Sequence, residues 1–228
     1  MIFIDTYNRS VLNKLLFSGC ILFSLLAALW LMFVEYPSTN TWLKPYQLNG
    51  DLWRRILIAF CLIIYFIRLQ ITVWVFQKRK WTWVETITIT ILMSFVVYSY
   101  ASAGGSNNQA IGAWEVIGLF MYLLGSYINT HAEYYRHVWK LKEKNRGLLY
   151  TRGLFRLSMH INYFGDIVLF IGLAMVTHRF SMVLIPLIMA INFIFNIIPS
   201  LDRYLEKKYK DQFRNYTKIT KKLIPKIY

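Results

Sequence analysis

Long apolar runs separated by short polar segments make up most of the 228-residue chain. Apolar runs of about 18 or more residues are typical of membrane-spanning helices, and the pattern predicts six of them, the fifth being short. The runs cover residues 11–34, 53–76, 83–100, 111–128, 167–180 and 182–198. The predicted fold is therefore an all-α integral membrane protein, built as a single bundle without a separate soluble domain.

The longest polar interruption lies between the fourth and fifth runs, at residues 129–166. Four polar residues at its start recur at steps of four, four and three, which places them on one face of a helix that continues the fourth run. They are Asn129, Glu133, His137 and Lys140. A solvated helix face and a binding surface both fit this spacing.

The C-terminal tail, residues 200–228, is densely basic and has the pattern of an amphipathic helix. Such helices lie on the membrane surface with their apolar side toward the lipid. The expected apolar side contains Tyr204, Tyr209, Phe213 and Tyr216. The predicted architecture is thus six spans, a cytoplasmic loop and this terminal helix.

The second run contains polar side chains that are costly in hydrocarbon. Tyr65, Arg68 and Thr72 share one helix face, and Arg79 returns near that face further along. A membrane-embedded arginine costs about 2.5 to 3.5 kcal/mol on insertion scales. Arg68 is therefore expected to face the bundle interior, either in a functional cavity or in a salt bridge to Glu115 or Glu35.

Composition agrees with a membrane protein, because 57% of residues are hydrophobic, only 16% are charged and the mean hydropathy is +0.40. The net charge of +15 does not indicate nucleic acid, since the cations lie in loops at 78–80 and 136–156 and in the tail. Positively charged loops stay cytoplasmic, which predicts a multi-pass protein with both termini cytoplasmic. Arg54 and Arg55 are exceptions on the predicted outer side. Some of the Lys and Arg residues in the basic loops and tail are also candidates to bind phosphate groups.

The sequence lacks the motifs of several common kinds of enzyme and binding site. There is no G-x-G-x-x-G fingerprint, Walker loop, nucleophile elbow or zinc-ligand spacing, and the histidines are not closely paired, so no metal is predicted. The spans carry no repeated ring of charges, which argues against a pore. Cys20 and Cys61 both fall inside apolar runs and predict no disulfide.

A set of short motifs resembles the membrane-bound steroid 5-alpha-reductases and the related bacterial reductases and sterol C14-reductases. The resemblance covers most of the chain from Glu35 onward. Its motifs are Glu-x-Pro-Ser at 35–38, Tyr-Phe-x-Arg at 65–68 followed by Arg79, G-x-x-x-N-x-x-x-E at 125–133, Gly-Leu-Phe at 153–155, Asn-Tyr-Phe-Gly-Asp at 162–166, and a closing Tyr209, Tyr216 and Leu-Ile-Pro at 223–225.

The resemblance implies one reductase domain, 1–228, with substrate-cavity helices in 11–110 and a cofactor-binding half in 111–228. The implied cofactor is NADPH, and His137 and Lys140 occupy positions where the family has arginines. The implied cofactor-binding residues are Asn129, Glu133, His137, Lys140, Asn162, Tyr163, Asp166, Arg79 and Arg203.

The resemblance also implies the chemistry. Tyr65, hydrogen-bonded to Glu35, donates to the ketone oxygen of an enone, where negative charge accumulates as hydride adds to the β-carbon. Arg68 is the implied substrate-binding residue, and the substrate is a steroid-like or isoprenoid lipid taken from the bilayer.

Three departures accompany this resemblance. The family's first span is absent. An arginine and histidine cluster of the family is replaced by Asn196, Ser200, Asp202 and Arg203. Residues 159–163 read Met-His-Ile-Asn-Tyr where many relatives read Arg-His-Pro-Asn-Tyr. Isoprenylcysteine and phospholipid methyltransferases carry a motif related to that at 162–166. A membrane methyltransferase using S-adenosylmethionine, or a non-catalytic lipid-binding protein, is therefore an alternative.

Overall fold

The computed structural model describes residues 10–34 and 47–228, and within these ranges the chain is helical and has no β-strand. This confirms the prediction of an all-α membrane protein. The helices are α1 (Val11–Phe33), α2 (Leu52–Ile71), α3 (Trp83–Gly105), α4 (Ala113–Leu141), α5 (Ile161–Thr177), α6 (Leu184–Asn192), α7 (Ile198–Tyr209) and α8 (Asp211–Ile219). A π-helical turn, Thr72–Phe76, extends α2, and another, Phe193–Ile197, joins α6 to α7.

Four helical segments in the described part of the chain are long and apolar enough to cross a membrane: Val11–Phe33, Leu52–Phe76, Trp83–Gly105 and Phe180–Tyr209. The predicted fourth and fifth spans form helices that are not among these four. α5 has 17 residues, which is about 25 Å of helix against a hydrocarbon core of about 30 Å. Six crossings therefore remain a prediction, and several apolar helices are established.

Neighbouring helices from α1 to α5 alternate in direction, so the bundle has two distinct ends. At one, the Gly50 N–H donates to Gly105 O (2.7 Å) and the Asn107 side chain donates to Thr177 O (3.1 Å). At the other, Asn129 on α4 donates to Asn162 O at the start of α5 (2.9 Å). We call these the Arg54 end and the Asp166 end, after an ionisable residue near each.

Glycines let α4 and α5 pack at backbone distance. A Cβ added to Gly125 would lie 2.3 Å from the Leu169 nitrogen, and one added to Gly172 would lie 2.4 Å from the Tyr122 nitrogen. No side chain fits such gaps, so the small residues predicted to allow close helix approach do so here. This contact holds the polar end of α4 in register with the start of α5.

The C-terminal helices differ from the prediction. Tyr209, Phe213 and Tyr216 do not face lipid but are buried against Met159. The backbone N–H groups of Met159 and His160 donate to carbonyls of the tail at residues 221 and 222 (2.8 and 2.9 Å). The tail is amphipathic as predicted, but its apolar side packs on the protein because the segment before α5 leaves an apolar surface there.

Candidate functional site

Arg68 faces the interior of the bundle, where its Nη2 donates to the Asp166 carboxylate on α5 at 2.7 Å. The arginine is 8% exposed. The predicted salt bridge from Arg68 to Glu115 is therefore wrong, since α2 brings Arg68 to the opposite end of the bundle from Glu115. Arg68 Nε and Nη1 have no hydrogen-bond partner among the residues that the structure describes.

Tyr65 lies one turn before Arg68 and is 3% exposed. Its hydroxyl donates to the sulfur of Met93 on α3 (3.1 Å), and its ring meets Phe170 of α5 edge to face at a centroid distance of 5.3 Å. The Arg68 guanidinium lies 5.6 Å from the Tyr65 ring centroid. The predicted interior position of Tyr65 is confirmed, and a weak sulfur acceptor holds its hydroxyl.

Glu35, the predicted partner of Tyr65, lies outside the described residues. The nearest described part of α1 is at the Arg54 end, where Arg55 Nη1 donates to Met32 O (2.5 Å). Arg55 and Tyr65 are ten residues apart on α2, about 15 Å along the helix. The pairing of Glu35 with Tyr65 stays a prediction.

The polar face of α4 meets the start of α5. Asn129 Nδ2 donates to Asn162 O (2.9 Å), and Asn162 Nδ2 donates to Glu133 Oε1 (2.9 Å). Asn129 and Glu133 are 7% and 9% exposed. This half of the predicted face is an interhelical contact and not a solvated surface.

The rest of that face is more open. Lys140 is exposed and His137 is partly exposed, with its ring 5.7 Å from that of Phe76. Burial and the nearby Lys78 hold the pKa of His137 below its usual range. Because His137 is then neutral near pH 7, it offers a phosphate group a neutral hydrogen bond and not a full charge.

Tyr163 packs in a column of rings that links α5 to the last membrane helix. Its ring stacks 4.6 Å from Phe193 and 5.7 Å from His160. His160 Nε2 is 2.9 Å from Asp202 Oδ1, and Asp202 Oδ2 is 3.1 Å from Lys222 Nζ. In the sequence, Asp202 stands out only as a departure from the family pattern, and no local pattern pairs it with His160.

Two predicted cofactor residues make other contacts. Arg79 is bound by both carboxylate oxygens of Glu85 on α3. Arg203 is exposed, and its described hydrogen bonds go to Pro199 O (3.3 Å) and Ser200 Oγ (3.5 Å) within its own turn. The described contacts do not bring either arginine to Asn129 or Asn162.

A second buried ionic cluster occupies the Arg54 end. Arg54 is 0% exposed and pairs with Glu115 (3.0 Å), which is 1% exposed and also lies 2.5 Å from His178 Nδ1. The other two Arg54 nitrogens donate to backbone carbonyls, Nη1 to Val176 O (2.7 Å) and Nε to Gln109 O (3.3 Å). Arg54 is thus an interior residue and not an outer-loop charge, which removes its conflict with the charge distribution.

The polar groups at the Asp166 end fit a nucleotide better than they fit a metal ion. No group of three histidine, cysteine or acidic side chains suited to a metal occurs in the described ranges. Asn129, Asn162 and Glu133 provide amide and carboxylate groups of the kind that bind a carboxamide or sugar hydroxyls. Arg68 adds two buried N–H groups that have no described partner.

Comparison with known proteins gives one match. Residues 70–220 match the family described as "Protein of unknown function (DUF1295)". This range contains Asn129, Glu133, Asn162 and Asp166 and begins just after Arg68. A search of curated proteins finds no match to the chain. Since the match covers most of the chain, the protein belongs to the DUF1295 family.

Proposed function

We propose that the protein uses NADPH to reduce a carbon–carbon double bond conjugated to a ketone in a steroid-like or isoprenoid lipid. One observation carries this proposal: an ion pair and a hydrogen-bonded group of polar side chains lie together at the Asp166 end of the bundle, beside a buried tyrosine. The ion pair is Arg68 with the partly exposed Asp166, the group is Asn129, Asn162 and Glu133, and the tyrosine is Tyr65.

A comparison of the two buried arginines supports a ligand-binding role for one of them. Arg54 meets a carboxylate and several backbone carbonyls, as expected of a group that serves structure. Arg68 meets Asp166 but keeps two buried nitrogens without a described partner. Because an unsatisfied buried donor costs about 1 to 3 kcal/mol, the surplus donors of Arg68 favour a ligand that accepts from them.

The proposed chemistry assigns a task to each residue. NADPH, when bound, supplies the hydride. Asn129, Asn162 and Glu133 hold the cofactor through hydrogen bonds, and Asp166 fixes the direction of the Arg68 guanidinium. Tyr65 exchanges its weak bond to Met93 for one to the ketone oxygen and donates a proton there as negative charge accumulates. The resulting enol returns to the ketone when its hydroxyl proton goes back to Tyr65 and the α-carbon takes a proton from solvent. The apolar surroundings exclude water and strengthen that hydrogen bond.

The test is cofactor-specific binding. NADPH is expected to raise the melting temperature of the purified chain in detergent, and a 3-oxo-4-ene steroid or an enone isoprenoid is expected to be reduced with loss of NADPH absorbance. A stabilisation by S-adenosylmethionine and not by NADPH would overturn the reductase in favour of the methyltransferase. Stabilisation by neither ligand would favour a non-catalytic lipid-binding protein.

A further inference from the structure

A second candidate site lies between the loop that precedes α5 and the end of α8. A cavity of about 550 Å³ opens there. Its lining consists of Thr151, Arg152, Gly153, Arg156, Tyr216, Ile219 and Thr220. None of these was a predicted binding residue, although the Gly-Leu-Phe motif and Tyr216 were noted as parts of the resemblance.

The charge of this cavity has no described counterion. Arg152 and Arg156 are exposed, and neither guanidinium makes an ion pair or a hydrogen bond with a residue that the structure describes. No acidic side chain is among the described lining residues. Two arginines facing one small polar cavity favour an anion with several acceptor oxygens, because the planar guanidinium binds phosphate through paired hydrogen bonds.

Hydroxyl groups complete the lining. Thr151, Thr220 and Tyr216 each carry one, and Thr220 is largely buried. Burial raises the pKa of the Tyr216 hydroxyl, so it stays protonated. The Tyr216 hydroxyl donates to Phe155 O and keeps its oxygen lone pairs as acceptors. The donors left for an anion are therefore the two guanidinium groups and the threonine hydroxyls.

The cavity is held in shape by contacts on both sides. The Tyr216 bond to Phe155 joins α8 to the loop, and Ser158 Oγ donates to the carbonyls of Lys222 (3.0 Å) and Leu223 (2.8 Å). Gly153, at φ 58°, turns the loop between the two arginines. A preorganised set of donors loses less entropy on binding than a flexible one.

We propose that this cavity binds the phosphate group of an anionic ligand. The phosphate has two chemical sources, the headgroup of an anionic phospholipid and the phosphates of a nucleotide cofactor. The cavity neighbours a proposed cofactor residue, since the lining residue Tyr216 donates to Phe155 O, Arg136 lies over the Phe155 ring (5.2 Å), and Arg136 pairs with Glu133. The exposed Ile219, 83% accessible, also lines the cavity. Only the nucleotide source rests on the proposed function.

The test uses inorganic phosphate as the probe on the full chain in phosphatidylcholine nanodiscs. Phosphate is expected to raise the melting temperature of the wild type, and the double variant Arg152→Gln/Arg156→Gln is expected to need at least tenfold more phosphate for the same shift. The control Lys144→Gln/Arg146→Gln removes two exposed charges from the preceding loop, outside the cavity, and is expected to respond like wild type. No phosphate effect on wild type, or equal losses in both double variants, would overturn the site.

Two further arms identify the source of the phosphate. Weaker NADPH binding in the Arg152→Gln/Arg156→Gln variant, with the control variant unchanged, assigns the site to the cofactor. Unchanged NADPH binding together with lost stabilisation by phosphatidylglycerol in the nanodiscs assigns it to a lipid headgroup. If wild type binds phosphate but not NADPH, the proposed reductase fails while the phosphate site stands. If neither NADPH nor phosphatidylglycerol responds to the double variant, the proposed phosphate-bearing ligand is wrong.

Discussion

At the residue scale, the side chain that distinguishes a reductase from a lipid-binding protein is Tyr65. Its hydroxyl is inside the bundle, next to Arg68, and its present acceptor is the sulfur of Met93. A thioether is a weak hydrogen-bond acceptor, so the hydroxyl loses little when a ketone oxygen replaces it. The structure contains a second buried tyrosine, Tyr122, whose hydroxyl donates to Cys61 O at 2.6 Å, and this residue supplies a matched comparison.

Tyr65→Phe is expected to lower kcat by about 100-fold or more, the contribution of a positioned acid, while the NADPH dissociation constant changes less than twofold. Removing the weak bond to Met93 leaves the melting temperature close to that of wild type. Steady-state reduction of an enone lipid and equilibrium NADPH binding measure the two effects. Impaired NADPH binding with normal turnover would contradict the role given to Tyr65.

The matched control is Tyr122→Phe, which also deletes one buried hydroxyl. Its loss removes a second hydrogen bond to the Cys61 carbonyl, which keeps its bond within α2, and is expected to destabilise the protein by about 1 kcal/mol without a large fall in kcat. Equal falls in kcat for both variants would indicate a packing effect and remove the reason to single out Tyr65.

At the scale of elements, the α4–α5 pair builds the candidate site. Backbone contact at Gly125 and Gly165 comes one turn before the hydrogen bond from Asn129 to Asn162. The spacing of the two helices therefore decides whether the polar residues on α4 reach those on α5. An apolar helix pair with ordinary side chains in between would stand farther apart.

Gly125→Ala is expected to lower the free energy of unfolding by about 1 to 3 kcal/mol, the range for an overpacked core, because the added Cβ meets the backbone of Leu169. It is also expected to weaken NADPH binding, since Asn129 moves away from Asn162. Thermal unfolding in detergent and NADPH titration measure both effects.

Gly19→Ala on α1 is the control, because a Cβ there meets nothing within 4 Å. Alanine has the higher helix propensity, so this variant is expected to be as stable as wild type or slightly more stable. If Gly125→Ala were as stable as Gly19→Ala, close backbone packing would not be what holds α4 against α5.

At the scale of the whole molecule, the two ends of the bundle differ in charge and in how completely their ionisable groups are hydrogen-bonded. The Arg54 end is closed by a satisfied ionic cluster. The Asp166 end carries the polar network and is followed by the basic loop 136–156 and the basic tail. Basic loops favour the cytoplasmic side, which predicts that the proposed site faces the cytoplasm.

This orientation predicts a labelling pattern in sealed vesicles of known sidedness. With Cys20 and Cys61 replaced by alanine, a cysteine at Asn108→Cys is expected to react with an impermeant maleimide only from the outer face. Cysteines at Lys144→Cys and Lys218→Cys are expected to react only from the cytoplasmic face. Reaction of positions 108 and 144 from the same face would show that α4 does not cross the membrane.

Local sequence patterns predicted which residues face the site, but not which of these residues contact one another. The position of Arg68 within an apolar run indicated an interior residue, and the spacing of Asn129 and Glu133 indicated a common face. The partner of Arg68 was not predicted, because Asp166 lies 98 residues away. The membrane-facing role of the tail was wrong because amphipathicity does not distinguish a lipid surface from an apolar protein surface.

Sequence pattern alone was enough to predict the all-α membrane fold, the interior position of Arg68 and the side of the bundle that is basic. These follow from hydropathy and helical period, which are properties of consecutive residues. Only the tertiary structure decided which charges pair, that Arg54 is satisfied while Arg68 keeps unpaired donors, and that α8 closes a cavity over the loop before α5. Such pairings depend on how antiparallel helices align, and that alignment is set by backbone contact between glycines far apart in the chain.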